Sequence, residues 1–197
     1  MKKTIWIPIV GGLILGALSF LVSAVNFTIT IYDDLILGPW EILNTLSAAL
    51  FGPIGLLITE LGTDIGAYLY LIRGVYPSPQ DLYFIIGDYI AHTVSLMIVA
   101  FCYRFIYTRM KMPLLMVGWV LILGIFYAML FLIQVPLFNI AVPGLGATYM
   151  GYVINVIPES ISTIVVTSLI LLALPEYYRK PQWYESKKAP EQNGSGT

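Results

Sequence analysis

Long apolar runs separated by short polar segments dominate the chain. The first run covers about residues 5–25, and the polar segment NFTITIYDD follows it. A shorter apolar helix is expected at about residues 40–51, because Pro39 suits the first turn of a helix. After the turn GPIG, further spans are expected at about residues 54–72, 82–107, 114–134 and 149–174. The pattern therefore predicts an all-α integral membrane protein with six transmembrane helices in one domain, residues 1–175.

Composition supports a membrane protein. Of the 197 residues, 58% are hydrophobic and 11% are charged, and the mean hydropathy is +0.84. Soluble domains are about a quarter charged. The net charge of -1 gives no sign of a nucleic-acid partner, and the single cysteine, Cys102, cannot form an internal disulfide. The first apolar run exceeds the roughly 7 to 15 residues of a signal-peptide core, so we interpret it as a span.

The basic residues predict the orientation, because Lys and Arg near span ends stay on the cytoplasmic side. With a cytoplasmic N-terminus, six spans leave only Arg73 outside; the basic residues that fall inside are Lys2, Lys3, Arg104, Arg109, Lys111, Arg179, Lys180, Lys187 and Lys188. Both termini are then cytoplasmic in a multi-pass protein of the plasma membrane. Residues 176–197 are polar, and we expect a disordered cytoplasmic tail.

Three predicted spans each carry two polar residues one helical turn apart. The pairs are Glu60 with Asp64, Asp88 with His92, and Asn155 with Glu159. The spacing i, i+4 puts both members on one helix face, and the predicted topology puts all six in the outer half or near the midplane. A central Asp facing lipid costs at least about 2.5 kcal/mol, so these groups are expected to line a pocket that opens outward. Alternatively, they hydrogen-bond to one another or to backbone opened by Pro158 and hold the helices together.

Small residues form a stripe along the first span at helical spacing: Gly12, Gly16, Ser19 and Ser23. Such stripes let another helix approach closely. Two interpretations remain open from the sequence alone. The stripe packs against a neighbouring span of this chain, or it docks a partner protein.

Two segments resemble a known family. The stretch ALFGPIGLLITELGTDIGAY after a short second helix, and NVIPESISTIVVTSLILLALP in the last span, look like the substrate-binding S components of energy-coupling factor (ECF) vitamin transporters. The resemblance covers roughly residues 5–175. It implies a vitamin-like substrate in an outward pocket, and import powered by a transmembrane coupling protein with two ATPase subunits. In that family a small-residue AxxxA stripe on the first span meets the coupling protein; here glycine stands at positions 12 and 16 where alanine is usual.

Other function classes fit the residues less well. The Gly87-Asp88 pair lacks the first glycine of the GxGD motif of intramembrane aspartyl proteases, since Ile85 stands there, and Asp33 falls in a predicted loop. HExxH and GxSxG motifs are missing from the chain, and one histidine with carboxylates is a poor transition-metal set. We expect no enzyme activity, cofactor or metal. A self-sufficient secondary transporter stays an alternative, although no internal repeat is visible.

The acidic lining predicts the charge of the ligand. No basic residue lies at the predicted depth of the carboxylates. A small aromatic cation or base, thiamin-like in size and charge, is therefore expected ahead of a neutral or anionic vitamin. In that hypothesis Glu60 and Glu159 pair with the positive centre. The expected hydrogen-bonding residues are Asp64, Asp88, His92 and Asn155, and the expected stacking residues are Trp40, Tyr68 and Tyr152. Aromatic residues at these depths also suit an interfacial belt.

Overall fold

The structure is a computed structural model that describes residues 3–32, 35–74, 79–109, 136 and 162–183. These residues are mostly helical. The main helices are α1 (Lys3–Ala24), α2 (Pro39–Gly74) and α3 (Pro79–Arg109). A shorter helix α4 covers Ser162–Ala173, and a single turn α5 covers Glu176–Arg179. Two short strands, β1 (Ile29–Tyr32) and β2 (Leu35–Leu37), lie between α1 and α2.

Helix α2 is a helical hairpin that reverses at Gly52. Gly52 has φ 67° and ψ -158°, a conformation that glycine adopts without the penalty of a side chain. The two arms, residues 39–51 and residues 53–74, lie antiparallel. Hydrogen bonds show the pairing: Thr59 Oγ1 donates to Ser47 Oγ at 2.7 Å, and Thr63 Oγ1 donates to Asn44 Oδ1 at 3.0 Å. The predicted break at GPIG, with a short helix before it, is confirmed.

Helix α1 packs in parallel against the second arm of α2. Gly12 lies opposite Gly55, and Gly16 lies opposite Ile58 and Gly62. A Cβ atom on Gly62 would collide with the backbone carbonyl of Gly16, so the two helices touch through their backbones. Further along, the hydroxyls of Ser19 and Thr63 are 2.6 Å apart. The first arm connects these two parallel helices in the sequence, so it runs in the opposite direction to both.

Helix α3 runs antiparallel to the second arm of α2 and closes the apolar core. Its Leu96, Val99 and Ala100 are buried with Leu56 of the second arm. Ala48 and Ala49 of the first arm have no exposed surface and join the same cluster. Helix α4 contributes Ile164 and Leu171 to this cluster.

The segment after α1 differs from the predicted loop. Strands β1 and β2 pair antiparallel, with Ile29 opposite Leu37 and Thr30 opposite Ile36. The β-branched residues in ITIY favour extended backbone, and the polar context concealed that preference. The described residues are thus mostly helical, with one short β-hairpin in place of the predicted loop.

The start of the polar tail is folded against the bundle, in contrast to the expected disorder from residue 176. Gln182 N donates to the carbonyl of Leu50 at 2.7 Å, and the Tyr103 hydroxyl donates to the carbonyl of Arg179 at 2.8 Å. The Trp183 ring lies against Gly52, so a Cβ there would collide with it. These contacts satisfy polar backbone groups and partly bury the Trp183 ring, which the composition of the tail does not reveal.

Among the described residues, three helical segments are long and apolar enough to cross a membrane: Ile5–Ala24, Pro39–Ile72 and Ile85–Phe105. They cover the residues of the predicted spans one to four, and Pro39–Ile72 contains both arms of the hairpin. The predicted span at residues 114–134 lies outside the described residues, as does the beginning of the span at 149–174.

Candidate functional site

Two carboxylates and the only histidine of the chain meet where the α2 hairpin faces α3. Nδ1 of His92 lies 3.3 Å from Oε1 of Glu60 and 3.9 Å from Oε1 of Glu41. Glu41 belongs to the first arm, Glu60 to the second, and His92 to α3. We call these three residues the acid–histidine cluster.

The hairpin is the reason that the cluster forms. Because the arms reverse at Gly52, the beginning of the first arm returns to the level of residues 60–64 in the second. Thr45 Oγ1 donates to the backbone carbonyl of Glu41 at 2.7 Å and satisfies an acceptor in the first turn of the arm. His92 of α3 lies within ion-pair distance of one carboxylate from each arm.

Burial makes the cluster electrostatically strong. Glu60 is fully buried, and Asp64, one turn further along, is 6% exposed. The Tyr89 side chain lies within electrostatic range of Glu60 and Asp64. Between Lys3 and Arg104 the sequence contains only one basic residue other than histidine, Arg73 near the end of α2. The described cluster therefore has three carboxyl groups, with Asp64 included, and one imidazole to offset them.

Asn44 adds a polar group beside the cluster. It lies nearly one turn after Glu41, has no exposed surface, and accepts a hydrogen bond from Thr63 through Oδ1. Its Nδ2 is buried without a hydrogen-bond partner in the part of the chain that the structure describes. An unsatisfied buried donor costs about 1–3 kcal/mol, so an acceptor that reached this amide would be bound favourably.

The structure brings together some of the residues predicted from the sequence. Glu60, Asp64 and His92 lie in one region, as the depth argument predicts. Trp40 is partly buried next to Glu41, and Tyr68 is partly buried one turn beyond Asp64. The Asp88 side chain, Tyr152, Asn155 and Glu159 lie outside the described residues, so their assignments stay predictions.

Glu41 and Asn44 are not among the site residues predicted from the sequence. A signal for them exists in hindsight, because Glu41, Asn44 and Thr45 have the spacing i, i+3, i+4 of one helix face. An acidic residue near a helix N-terminus is ordinary, so the signal is weak by itself. Only the reversal at Gly52 gives that face a partner.

The small-residue stripe of α1 is occupied within the chain. Gly12 and Gly16 contact the backbone of the second arm, and Ser19 hydrogen-bonds to Thr63. Ser23 is buried near Gly66. The structure thus favours the internal-packing interpretation of the stripe, and a docking role for the same residues needs separate support.

An apolar groove of about 480 Å³ lies at the opposite end of the bundle. Residues from the N-terminal half of α1, from the hairpin turn and from the folded tail line it: Trp6, Ile7, Val10, Gly11, Ile14, Phe51, Tyr177, Tyr178 and Gln182. The groove contains no carboxylate. It is therefore a poor match for the polar pocket predicted from the sequence.

Among the described residues, no group of three or more His, Cys, Asp and Glu side chains is arranged to hold a metal ion. The acid–histidine cluster consists of groups at ion-pair distances. Its chemistry suits the binding of a proton or an organic cation.

Comparison with protein-family models, with curated proteins and with solved structures finds no match for the chain.

Proposed function

We propose that this chain is the substrate-capturing membrane subunit of an ECF-type importer, and that it binds a small aromatic cation in an acidic pocket. The acid–histidine cluster carries the proposal. It brings ionisable side chains from three helical segments to one place inside an apolar bundle, an arrangement that usually marks a functional site in membrane proteins.

The charge of the cluster favours a cation. A protonated His92 supplies only one positive charge, whereas Glu41, Glu60 and Asp64 supply three carboxyl groups. An anionic vitamin would meet repulsion from the same groups. A cationic ring would gain ion pairs in a medium where water screens them weakly, and Tyr89 supplies an aromatic face nearby.

The complete pocket in this proposal includes the predicted last span. Six spans with cytoplasmic termini would put Glu60 near the midplane and Asp64 closer to the outside. Asn155 and Glu159 would then face the cluster from the last span, and Tyr152 would lie above them. This orientation predicts entry of the ligand from outside the cell.

Energy for import would come from partner proteins. The chain contains no GxxxxGK[ST] phosphate-binding loop, so it has no Walker site for ATP hydrolysis. A coupling protein with two ATPases is the partner set that the resemblance implies. Replacement of Gly12 and Gly16 by leucine tests the docking role of the stripe. We expect loss of folded protein; loss of co-purification in a folded variant would restore the stripe as the docking surface.

Ligand binding by purified protein in lipid nanodiscs tests the main proposal. We expect thiamin to raise the unfolding temperature, since a ligand at 100 times its Kd stabilises a protein by about 2.7 kcal/mol. Biotin and riboflavin are the anionic and neutral comparison ligands. The Glu60→Gln variant should bind thiamin about ten- to a hundredfold more weakly, because a hydrogen bond or ion pair to a charged group contributes about 1.5–3 kcal/mol.

Glu176→Gln is the matched control, because Glu176 is an exposed carboxylate at the end of the bundle away from the cluster. It should bind thiamin like the unmodified protein. Tight binding of biotin that Glu60→Gln leaves unchanged would contradict the cationic site. Thiamin uptake into proteoliposomes by this chain alone, without ATPases, would favour the secondary transporter instead.

A further inference from the structure

A single nitrogen atom, Nδ1 of His92, faces carboxylates from both arms of the α2 hairpin. We propose that the acid–histidine cluster holds a proton in the empty protein and releases it when a cationic ligand binds. The ligand thus exchanges for a proton. This inference rests on the proposed function, since it requires a cationic ligand in the same pocket.

The distances define where the proton lies. Nδ1 lies 3.3 Å from Glu60 Oε1 and 3.9 Å from Glu41 Oε1, and both are ion-pair distances for a protonated imidazole. In the proposal the proton is therefore carried by His92, with Glu60 as the nearest negative charge and Glu41 as the second.

All titratable groups that the described helices direct toward His92 are acidic or phenolic. The first arm of α2 contributes Glu41, the second arm contributes Glu60 and Asp64, and α3 itself contributes Tyr89. Helix α1, on the far side of the second arm, contributes the neutral hydroxyl of Ser19. A protonated imidazole is the one positive charge of this set.

Exchange follows from the repulsion between two cations at one site. A ligand cation that pairs with Glu60 or Glu41 comes close to the imidazolium, and like charges at such distances repel strongly inside a protein. Transfer of the His92 proton to water removes the repulsion and leaves both carboxylates to the ligand. The charges balance, because one positive charge enters the site and one leaves it.

Asn44 is a second polar residue on the same helix face as Glu41. Its side chain is fully buried nearly one turn from Glu41, and Thr63 fixes the orientation of the amide. Its Nδ2 has no hydrogen-bond partner within the described residues. A cationic ligand that also carries a neutral nitrogen or oxygen acceptor could satisfy this donor, while its positive centre replaces the proton.

The chain contains one histidine, so protein labelled with ¹⁵N-histidine gives the signal of His92 alone. In empty protein at neutral pH, we expect the ¹⁵N shifts of an imidazolium. Saturation with thiamin should convert them to the shifts of a neutral imidazole. Calorimetry in buffers with different ionisation heats should show release of about one proton per thiamin, and affinity should fall about tenfold per unit decrease in pH while the cluster takes up that proton.

The variant His92→Gln separates exchange from simple binding. It keeps a hydrogen-bond donor beside Glu60, so it should bind thiamin without releasing a proton. A neutral imidazole in the empty protein would overturn the exchange, as would thiamin binding with unchanged His92 signals. Those two measurements need no variant. Failure of thiamin to bind at any pH would instead overturn the proposed function, and the exchange with it.

Discussion

The two faces of the second arm of α2 carry different kinds of residue. Toward α1 it presents Gly55, Thr59, Gly62, Thr63 and Gly66, and the two helices touch through backbone and small side chains. Toward α3 it presents carboxylates, which meet an imidazole and a phenol. One helix thus carries a tightly packed face and a charged face.

If the proposed function is right, stability and ligand binding depend on different faces of the second arm. Contacts between glycine backbones leave no room for added atoms, so the α1 face sets the helix positions. The α3 face instead keeps several carboxylates close together, which opposes folding unless a proton or a cation joins them. Substitutions on the first face should therefore change stability, and substitutions on the second should change binding.

The largest effect is expected at Gly62. The Gly62→Ala variant puts a Cβ against the carbonyl of Gly16, which is backbone and cannot rotate away. We expect destabilisation by about 3 kcal/mol, at the upper end of the usual cost of overpacking. Gly87→Ala is the matched control, because a Cβ on Gly87 meets nothing within 4 Å. That variant should gain up to about 1 kcal/mol from better helix propensity. Equal unfolding temperatures for both variants in one detergent would contradict the close backbone contact.

A smaller effect is expected at Gly52, where the hairpin reverses and both faces acquire their positions. The Gly52→Ala variant requires an alanine at φ 67° and also pushes a Cβ into the Trp183 ring. We expect a loss of about 2 kcal/mol, since backbone strain of this kind costs about 1–3 kcal/mol. In a double-mutant cycle, Trp183→Ala should relieve the part due to the collision. Strictly additive effects would show that the ring does not press on the turn.

The two faces were not equally accessible to sequence reasoning. Apolar run lengths predicted the helices, and the glycine and proline of GPIG predicted the break at residue 52, because both signals are local. The spacing of Glu60 with Asp64 predicted a polar face. It did not reveal Glu41, since that residue joins the cluster only after the hairpin closes.

The α1 stripe illustrates a second limit of prediction from the sequence. Gly12 and Gly16 predict that some helix approaches closely, but small residues carry no information about which helix. The folded tail illustrates a third limit. Gln182 and Trp183 stand in a polar sequence, yet Gln182 hydrogen-bonds to Leu50 and Trp183 packs against Gly52. In each case the missing information is a contact between residues far apart in the chain.

On the charged face, Glu60→Gln should have a modest effect on stability. Glutamine keeps the shape and an acceptor for His92, while the loss of the ion pair is offset by less repulsion from Glu41 and Asp64. We expect a change within about 1 kcal/mol. Equilibrium unfolding of the empty variant measures it beside the ten- to hundredfold loss of thiamin affinity. A loss of 3 kcal/mol or more would mean that Glu60 is mainly structural.

The smallest effect is expected at Ser19, on the uncharged face. Ser19→Ala removes the 2.6 Å hydrogen bond to Thr63, which remains able to donate to Asn44 Oδ1 or to the carbonyl of Thr59. Hydrogen bonds between membrane helices contribute about 0.6 kcal/mol on average, and the small alanine side chain keeps the close approach of the helices. We therefore expect a loss near that value and an unchanged affinity for thiamin. Unfolding and binding measured on one preparation check both parts. A variant that keeps its stability but binds thiamin tenfold more weakly would show that the chain from Ser19 through Thr63 to Asn44 extends the binding site to α1, and the separation of the two faces would then fail.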